Sequence, residues 1–335
     1  MWITVKKDAD LSGVQASLTE LGIWTQSLKE SQGSGRSLAI LPHSAQIARE
    51  SLLNIDGVDQ LFYPESRHPK VDGQSGRVLQ GDGWSLGEQA ILMAGPCGVE
   101  SEEQIHQCAD MVSSAGGLFL RGGAFKPRSS PYAFCGLGQD ALVWLREAAD
   151  QHGLKVVTEV LSENDVDQVA KYADMIQIGS RNMQNFALLK AIGRSGHPAL
   201  LKRGMAATVE DWLLAGEHLL AAGAKHVVFC ERGIQCYDQP FRNLLDLSAV
   251  ALLKHVHKQL VIVDPSHGAG RRDLILPLSK AALAVGADGL LVEAHPAPGQ
   301  ARSDGPQALQ REDLQVLGTL FEFSEKQSPT LCLKD

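Results

Sequence analysis

Ala90-Ile91-Leu92-Met93-Ala94-Gly95-Pro96-Cys97-Gly98 is a short apolar run stopped by glycine, proline and cysteine, and it is the first of eight such runs. The others are residues 118–121, 156–160, 175–178, 199–202, 226–230, 260–264 and 289–293. Continuous apolar runs of this length are strands buried on both faces, as in parallel sheets. Helical patterns separate them. Ser101-x-x-Gln104 is a capping box ahead of Ile105, Ala109 and Val112 on one face, and a second helix opens at Thr208 with Trp212, Ala215 and Leu219 at helical spacing. Eight strand–helix units over roughly 240 residues predict a (β/α)8 barrel, an α/β fold for which about 250 residues is typical.

Working back from residue 90, residues 66–88 turn polar and glycine-rich and read as a linker with a hairpin. Residues 1–65 show β-like runs at 2–5, 22–25, 37–41 and 58–62. One helix would present Leu11, Val14, Leu18 and Leu21 on a single face, and another Ile47, Leu52 and Leu53. Strand-helix-strand-strand-helix-strand is the order of a small ferredoxin-like α+β domain. The expected division is therefore 1–65, linker 66–88, barrel 89–325 and tail 326–335.

Composition narrows the function. The 335 residues carry 31 Lys and Arg against 39 Asp and Glu, a formal charge of −8, which argues against a nucleic-acid surface. The chain shows no 18-residue apolar window and no signal-peptide h-region after Met1, so the expectation is no membrane partner and a cytoplasmic protein. Cysteines at 97, 108, 135, 230, 236 and 332 form no Cys-x-x-Cys pair, so neither a disulfide scaffold nor a zinc ribbon is indicated.

In such a barrel the active site lies at the carboxyl ends of the strands. There the chain places Gly95-Pro96-Cys97-Gly98, Arg121-Gly122-Gly123-Ala124-Phe125-Lys126-Pro127-Arg128-Ser129, Glu159, Ser180-Arg181, Lys202-Arg203, Glu231-Arg232, Asp264-Pro265-Ser266-His267 and Glu293-Ala294-His295. A lone arginine after a strand is ordinarily a solvated loop residue. Arg121, Lys126, Arg128, Arg181, Lys202 and Arg232 on one rim of an acidic protein would repel one another unless anions lie among them. Guanidinium groups bind phosphate and carboxylate through paired hydrogen bonds, so a polyanionic substrate is expected.

Cys97, His267 and Glu293 end the first, seventh and eighth strands, which become neighbours when the barrel closes, and Asp304 follows in the next loop. Thiolate, imidazole and carboxylates suit one divalent ion such as Mn²⁺, Fe²⁺, Co²⁺ or Zn²⁺ better than Ca²⁺. The plain alternative is a buried core cysteine and a turn histidine. Cys108, Cys230 and Cys332 take that plain reading. Cys135 and Cys236 fall in rim loops, and Glu159 and His295 are candidates for orienting ligands or water.

These rim segments, over residues 85–325, resemble the 3-deoxy-D-arabino-heptulosonate 7-phosphate (DAHP) synthases, nearest the type I-beta group. The resemblance rests on Ala94-Gly95-Pro96-Cys97-Gly98-Val99-Glu100-Ser101, residues 121–128, residues 177–185 and Val263-Asp264-Pro265-Ser266-His267. It implies a transferase of the shikimate pathway that joins phosphoenolpyruvate to erythrose 4-phosphate. Cys97, His267, Glu293 and Asp304 would be the metal ligands. Arg121, Lys126 and Lys202 would meet the phosphoenolpyruvate carboxylate, Arg181 and Arg232 its phosphate, and Arg128 with Ser129 the aldose phosphate. Ser180 and Asp264 would belong to the substrate site. Cys97, Lys126 and His267 would be catalytic, with Lys126 the proton donor to the developing alkoxide. The family also implies a homo-oligomer, dimer or tetramer, and an aromatic amino acid effector on the N-terminal domain.

Some positions depart from the family pattern: Gly98, Ser129, Cys135 and Ser180 are mild changes, while Gly233-Ile234-Gln235-Cys236-Tyr237-Asp238 and Phe241-Arg242-Asn243 replace an arginine and a threonine in one rim loop. The nearest rival is 3-deoxy-D-manno-octulosonate 8-phosphate synthase, which takes arabinose 5-phosphate and carries a longer Lys-Ala-Asn-Arg-Ser loop; Lys126-Pro127-Arg128-Ser129 favours erythrose 4-phosphate. A non-catalytic regulatory barrel would be expected to have lost ligands or anion-binding residues, and this chain keeps them.

Overall fold

The computed structural model describes residues 1–28, 36–41, 47–62, 65–127, 130 and 132–322, in two compact units, Met1–Arg67 and His68–Asp335. In the first unit, strands β1 (Trp2–Val5), β2 (Thr25–Ser27), β3 (Arg36–Ile40) and β4 (Val58–Phe62) pair antiparallel in the order β2-β3-β1-β4, with helices Leu11–Glu20 and Arg49–Leu53. This is the ferredoxin-like α+β arrangement. Its core is Ile3, Val5, Val14, Leu18, Ile23, Leu38, Leu52, Val58 and Leu61.

Leu21 and Leu53 do not join that core; both are exposed. Leu21 follows the last helical turn, and Gly22, expected to open a strand, adopts φ 75° while Ile23 N donates to Leu18 O at 2.9 Å. That is a glycine helix stop, which delays β2 to Thr25.

The second unit begins with helix Pro69–Gly73 and a hairpin of β5 (Leu79–Gly81) and β6 (Trp84–Leu86). The stretch read as a linker is thus ordered on the barrel. Its polar groups find partners: Glu217 accepts from the amides of Lys70 and Val71, and buried Gln74 bonds to Val227 and Gln259. Leu79, Trp84 and Leu86 pack with the barrel interior, and the Trp84 indole stands edge-on to Phe119 at 4.9 Å between centroids.

The barrel strands are β7 (Ile91–Gly95), β8 (Phe119–Arg121), β9 (Lys155–Glu159), β10 (Met175–Ile178), β11 (Ala199–Lys202), β12 (Val227–Glu231), β13 (Val261–Val263) and β14 (Gly289–Glu293). Each pairs parallel with the next, and β14 closes on β7 through Gly289↔Ile91 to Glu293↔Gly95. Every strand lies within one residue of its expected ends. Helix Glu102–Ser114 starts at Ser101, whose hydroxyl accepts from Gln104 N at 3.1 Å. Only that half of the expected capping box forms, because Gln104 bonds to Glu100 N and Gly98 O instead. Among the described residues no helix is long and apolar enough to cross a membrane.

Candidate active site

Strand periodicity explains why the polar residues converge. Side chains two positions apart share a face. Phe119 is followed by Arg121, Val157 by Glu159, Met175 by Gln177, Leu200 by Lys202, Cys230 by Arg232, Ile262 by Asp264 and Leu291 by Glu293, the first of each pair lying in the barrel's apolar interior. A dry layer inside the barrel is therefore capped at its carboxyl end by a layer of cations, carboxylates and one amide, all buried.

Four candidate ligands meet where β7, β13 and β14 end. Ligand atoms of Cys97, Glu293 and Asp304 lie within 4.8 Å of one another, and the Cys97 thiol donates to Asp304 Oδ2 at 3.1 Å. His267 Nε2 is 3.4 Å from Glu293 Oε1 and 4.0 Å from Asp304 Oδ2. Metal–donor bonds of about 2.0–2.3 Å put neighbouring donors roughly 3–4 Å apart, so this set fits one first-row divalent ion.

The electrostatics agree with that fit. Burial, reinforced by Glu293, pushes the Cys97 thiol up to about 12, so ligation requires a cation to displace its proton. Burial also works against ionised Asp304, yet the Cys97 thiol, His267 and Arg242 bring it down to about 2. Glu293 is held below the usual carboxylate range because His267 and Arg121 outweigh its burial. Desolvation lowers His267, favouring neutral imidazole. With its proton assigned to Nδ1, which faces Asp264 Oδ2 at 2.7 Å, the Nε2 lone pair is left for a cation.

A cavity of about 340 Å³ opens beside this cluster. Among the described residues its wall carries Arg121, Lys126, Arg181, Lys202, Arg232 and Arg242 against two acids, Glu159 and Asp304, so it is cationic within an acidic chain. Arg121 Nη1 donates to Glu293 Oε1 at 2.8 Å, but its buried Nε lacks a hydrogen-bond partner among the described residues. Lys126 Nζ donates to Cys97 O at 2.7 Å. Gly179 gives the Glu159 carboxylate its place, since a Cβ there would lie 2.0 Å from Oε1 and push that side chain aside.

The pattern of the DAHP synthetase I family matches residues 69–327. The chain belongs to the DAHP synthetase I family. It is 48% identical over 277 residues to a phospho-2-dehydro-3-deoxyheptonate aldolase of Thermotoga maritima, covering 83% of this chain and 78% of that one. A crystal structure of a Thermotoga maritima phospho-2-dehydro-3-deoxyheptonate aldolase (DAHP synthase) superposes with a TM-score of 0.75 at 37% identity, over 96% of both chains. A 2-dehydro-3-deoxyphosphooctonate aldolase of Acidithiobacillus ferrooxidans is 31% identical over 237 residues, 65% of this chain and 83% of that one.

In this DAHP synthetase I barrel, Cys97, His267, Glu293 and Asp304 converge, and Arg121, Lys126, Ser180, Arg181, Lys202 and Arg232 line one cavity. Arg128 and Ser129 lie outside the described residues. Asp264, expected at the substrate, lies beneath the cavity wall, paired with Lys202 and His267. Three participants escaped the sequence reading: Gln177, Arg242 and Gln307. Gln177 had a signal, as the lone polar residue of an apolar strand. Arg242 had one in the altered rim loop that names it, while Gln307 had none, being a loop residue whose partners no local pattern indicates.

Proposed function

We propose that the protein condenses phosphoenolpyruvate with D-erythrose 4-phosphate and water, giving 3-deoxy-D-arabino-heptulosonate 7-phosphate and phosphate, the first step of the shikimate pathway. The observation that carries this reading is one cavity with a six-cation wall ending at a thiol, an imidazole and two carboxylates. Such a wall binds a substrate with carboxylate and phosphate groups. The higher identity to the heptonate aldolase than to the octonate aldolase favours the four-carbon sugar.

Arg121, Lys126 and Lys202 bind the phosphoenolpyruvate carboxylate, Arg181 and Arg232 with Ser180 its phosphate, and Arg128 with Ser129 the aldose phosphate. Cys97, His267, Glu293 and Asp304 hold one divalent ion of the Mn²⁺, Fe²⁺, Co²⁺ or Zn²⁺ group. When bound, that ion supplies Lewis acidity at the aldehyde oxygen. Holding both substrates in one cavity sets the phosphoenolpyruvate methylene carbon against the aldehyde carbon, replacing a bimolecular encounter by a positioned one. Lys126, anchored on Cys97 O beside the ligand cluster, delivers the proton to the developing alkoxide. Water adds at the former enol carbon, and the resulting tetrahedral centre expels phosphate toward Arg181 and Arg232. The first unit serves as a regulatory domain for an aromatic amino acid effector, and the enzyme works as a cytoplasmic homo-oligomer.

Phosphate release from phosphoenolpyruvate, assayed with erythrose 4-phosphate or arabinose 5-phosphate and with or without chelator, tests the proposal. Turnover with the four-carbon sugar, abolished by chelator and restored by a divalent ion, is expected. Preference for the five-carbon sugar overturns the substrate, and indifference to chelator overturns the metal.

A further inference from the structure

The loop that departs most from the family pattern ends in Arg242-Asn243, and these two residues lie against the ligand cluster. Arg242 N and Asn243 N donate to Ala269 O and Gly268 O, both at 2.9 Å, so their backbone is tied to the turn that carries His267. Asn243 Nδ2 then donates to His267 O at 3.0 Å. Gly270 permits this approach, since a Cβ there would lie 2.6 Å from Arg242 Cβ.

From that anchor Arg242 Nη1 donates to Asp304 Oδ1 at 3.1 Å and reaches Gln307 Oε1 at 3.5 Å. Gln307, itself buried, donates from Nε2 to Glu293 Oε2 at 2.6 Å. One oxygen of each carboxylate is thereby occupied from behind. Asp304 keeps Oδ2 toward Cys97, and Glu293 keeps Oε1 toward His267, where it also accepts from Arg121 Nη1 at 2.8 Å, so Oε1 is the oxygen shared between the cluster and the cavity cation. Asp304 also adopts the left-handed conformation at φ 53°, which its neighbours must hold in place. Gly305 follows it closely, where a Cβ would meet Pro298 O at 2.3 Å.

We propose that Arg242, Asn243 and Gln307 are positioning residues that form a frame around the metal centre, fixing His267 and limiting Asp304 and Glu293 to one donor oxygen each. The inference rests on the ligand assignment proposed above. Such a frame favours a compact first-row ion over a larger one that takes two oxygens per carboxylate. It also accounts for Arg242-Asn243 standing directly after a loop that has lost other family residues.

The test uses the full chain, stripped of metal and titrated with Co²⁺. Affinity is read by chelator competition, and coordination by the visible d–d bands and the near-ultraviolet thiolate-to-cobalt band. Gln307→Met preserves side-chain size but removes both hydrogen bonds; it is expected to bind Co²⁺ roughly 10–100-fold more weakly. Its d–d bands should shift while the thiolate band stays. Arg242→Lys, which can hold one of its two partners, should fall between Gln307→Met and the wild type. If Gln307→Met fails to fold, Gln307→Glu with Arg242→Lys carries the same measurement. Wild-type affinity and spectrum in these variants, with the thiolate band lost in Cys97→Ser, overturn the frame and leave the ligand assignment standing. A wild-type protein without a thiolate band, or one unchanged by Cys97→Ser, overturns the ligand assignment and the frame with it.

Discussion

Asp264 Oδ2 accepts from His267 Nδ1 at 2.7 Å while also pairing with the Lys202 ammonium. One buried carboxylate therefore holds an imidazole and an ammonium at once, and under the proposed assignment it orients the first for a cation and the second for an anion. Burial opposes its charge, but His267 and Lys202 hold it well below the usual carboxylate range. Asp264→Asn removes that charge and lets the imidazole take the wrong tautomer. Metal affinity should fall roughly 10–100-fold, with a matching drop in kcat/KM. Chelator competition measures it, and an unchanged affinity would show that His267 needs no orienting partner.

Arg232 is buried, and desolvation lowers its pKa, so a substrate anion is a favourable partner for it. Replacing a charge-assisted contact costs about 1.5–3 kcal/mol. Arg232→Gln should raise the KM for phosphoenolpyruvate by roughly 10–100-fold and leave the KM for the aldose phosphate nearly constant. Steady-state kinetics with each substrate varied in turn decides this; equal changes in both would contradict the phosphate assignment.

His226, at the opposite end of β12, faces Val227 O through Nδ1 at 3.0 Å, and its buried Nε2 lacks a hydrogen-bond partner among the described residues. Burial, with Arg77 adding to it, lowers its pKa from 6.5 to about 4. Between those values the unfolded chain takes up a proton that the folded chain refuses. Its contribution is fully present above about pH 6.5 and is lost as the pH falls toward 4, by up to roughly 3 kcal/mol. Urea denaturation of wild type and His226→Gln at pH 7 and pH 4.5 should show the variant losing less stability between the two. Parallel losses would refute the assignment.

Trp84 seals the interior of the barrel against Phe119, and Gly81 lies directly under its ring, where a Cβ would come within 2.0 Å. Trp84→Ala should destabilise the second unit by about 3–5 kcal/mol through lost burial and a cavity. Gly81→Ala should cost about 1–3 kcal/mol by forcing the indole aside. Thermal unfolding reports both, and an unaffected Tm in Trp84→Ala would mean the hairpin is dispensable.

The barrel was legible from residue 90 onward because a parallel strand buried on both faces leaves a continuous apolar run, and eight of them in alternation with helices admit few closures. The same periodicity exposed the rim: whatever polar residue follows an inward apolar one at a spacing of two joins the buried polar layer at the barrel's carboxyl end, as Arg121 follows Phe119 and Glu293 follows Leu291. Within 66–88 the hairpin was legible, but the packing of the stretch on the barrel was not, because its polar residues are satisfied by partners far along the chain, as Gln74 is by Gln259 at a separation of 185 residues. Local composition records that a group is polar, not that something distant receives it.

The sequence by itself determined the strand order of both units and the set of side chains delivered to one rim, since these depend on spacing along the chain. Only the tertiary structure decided which of those side chains face one another. Asp264 was set between Lys202 and His267, and Arg242 and Gln307 were brought behind Asp304 and Glu293, because ring closure and loop packing set distances that no local pattern encodes.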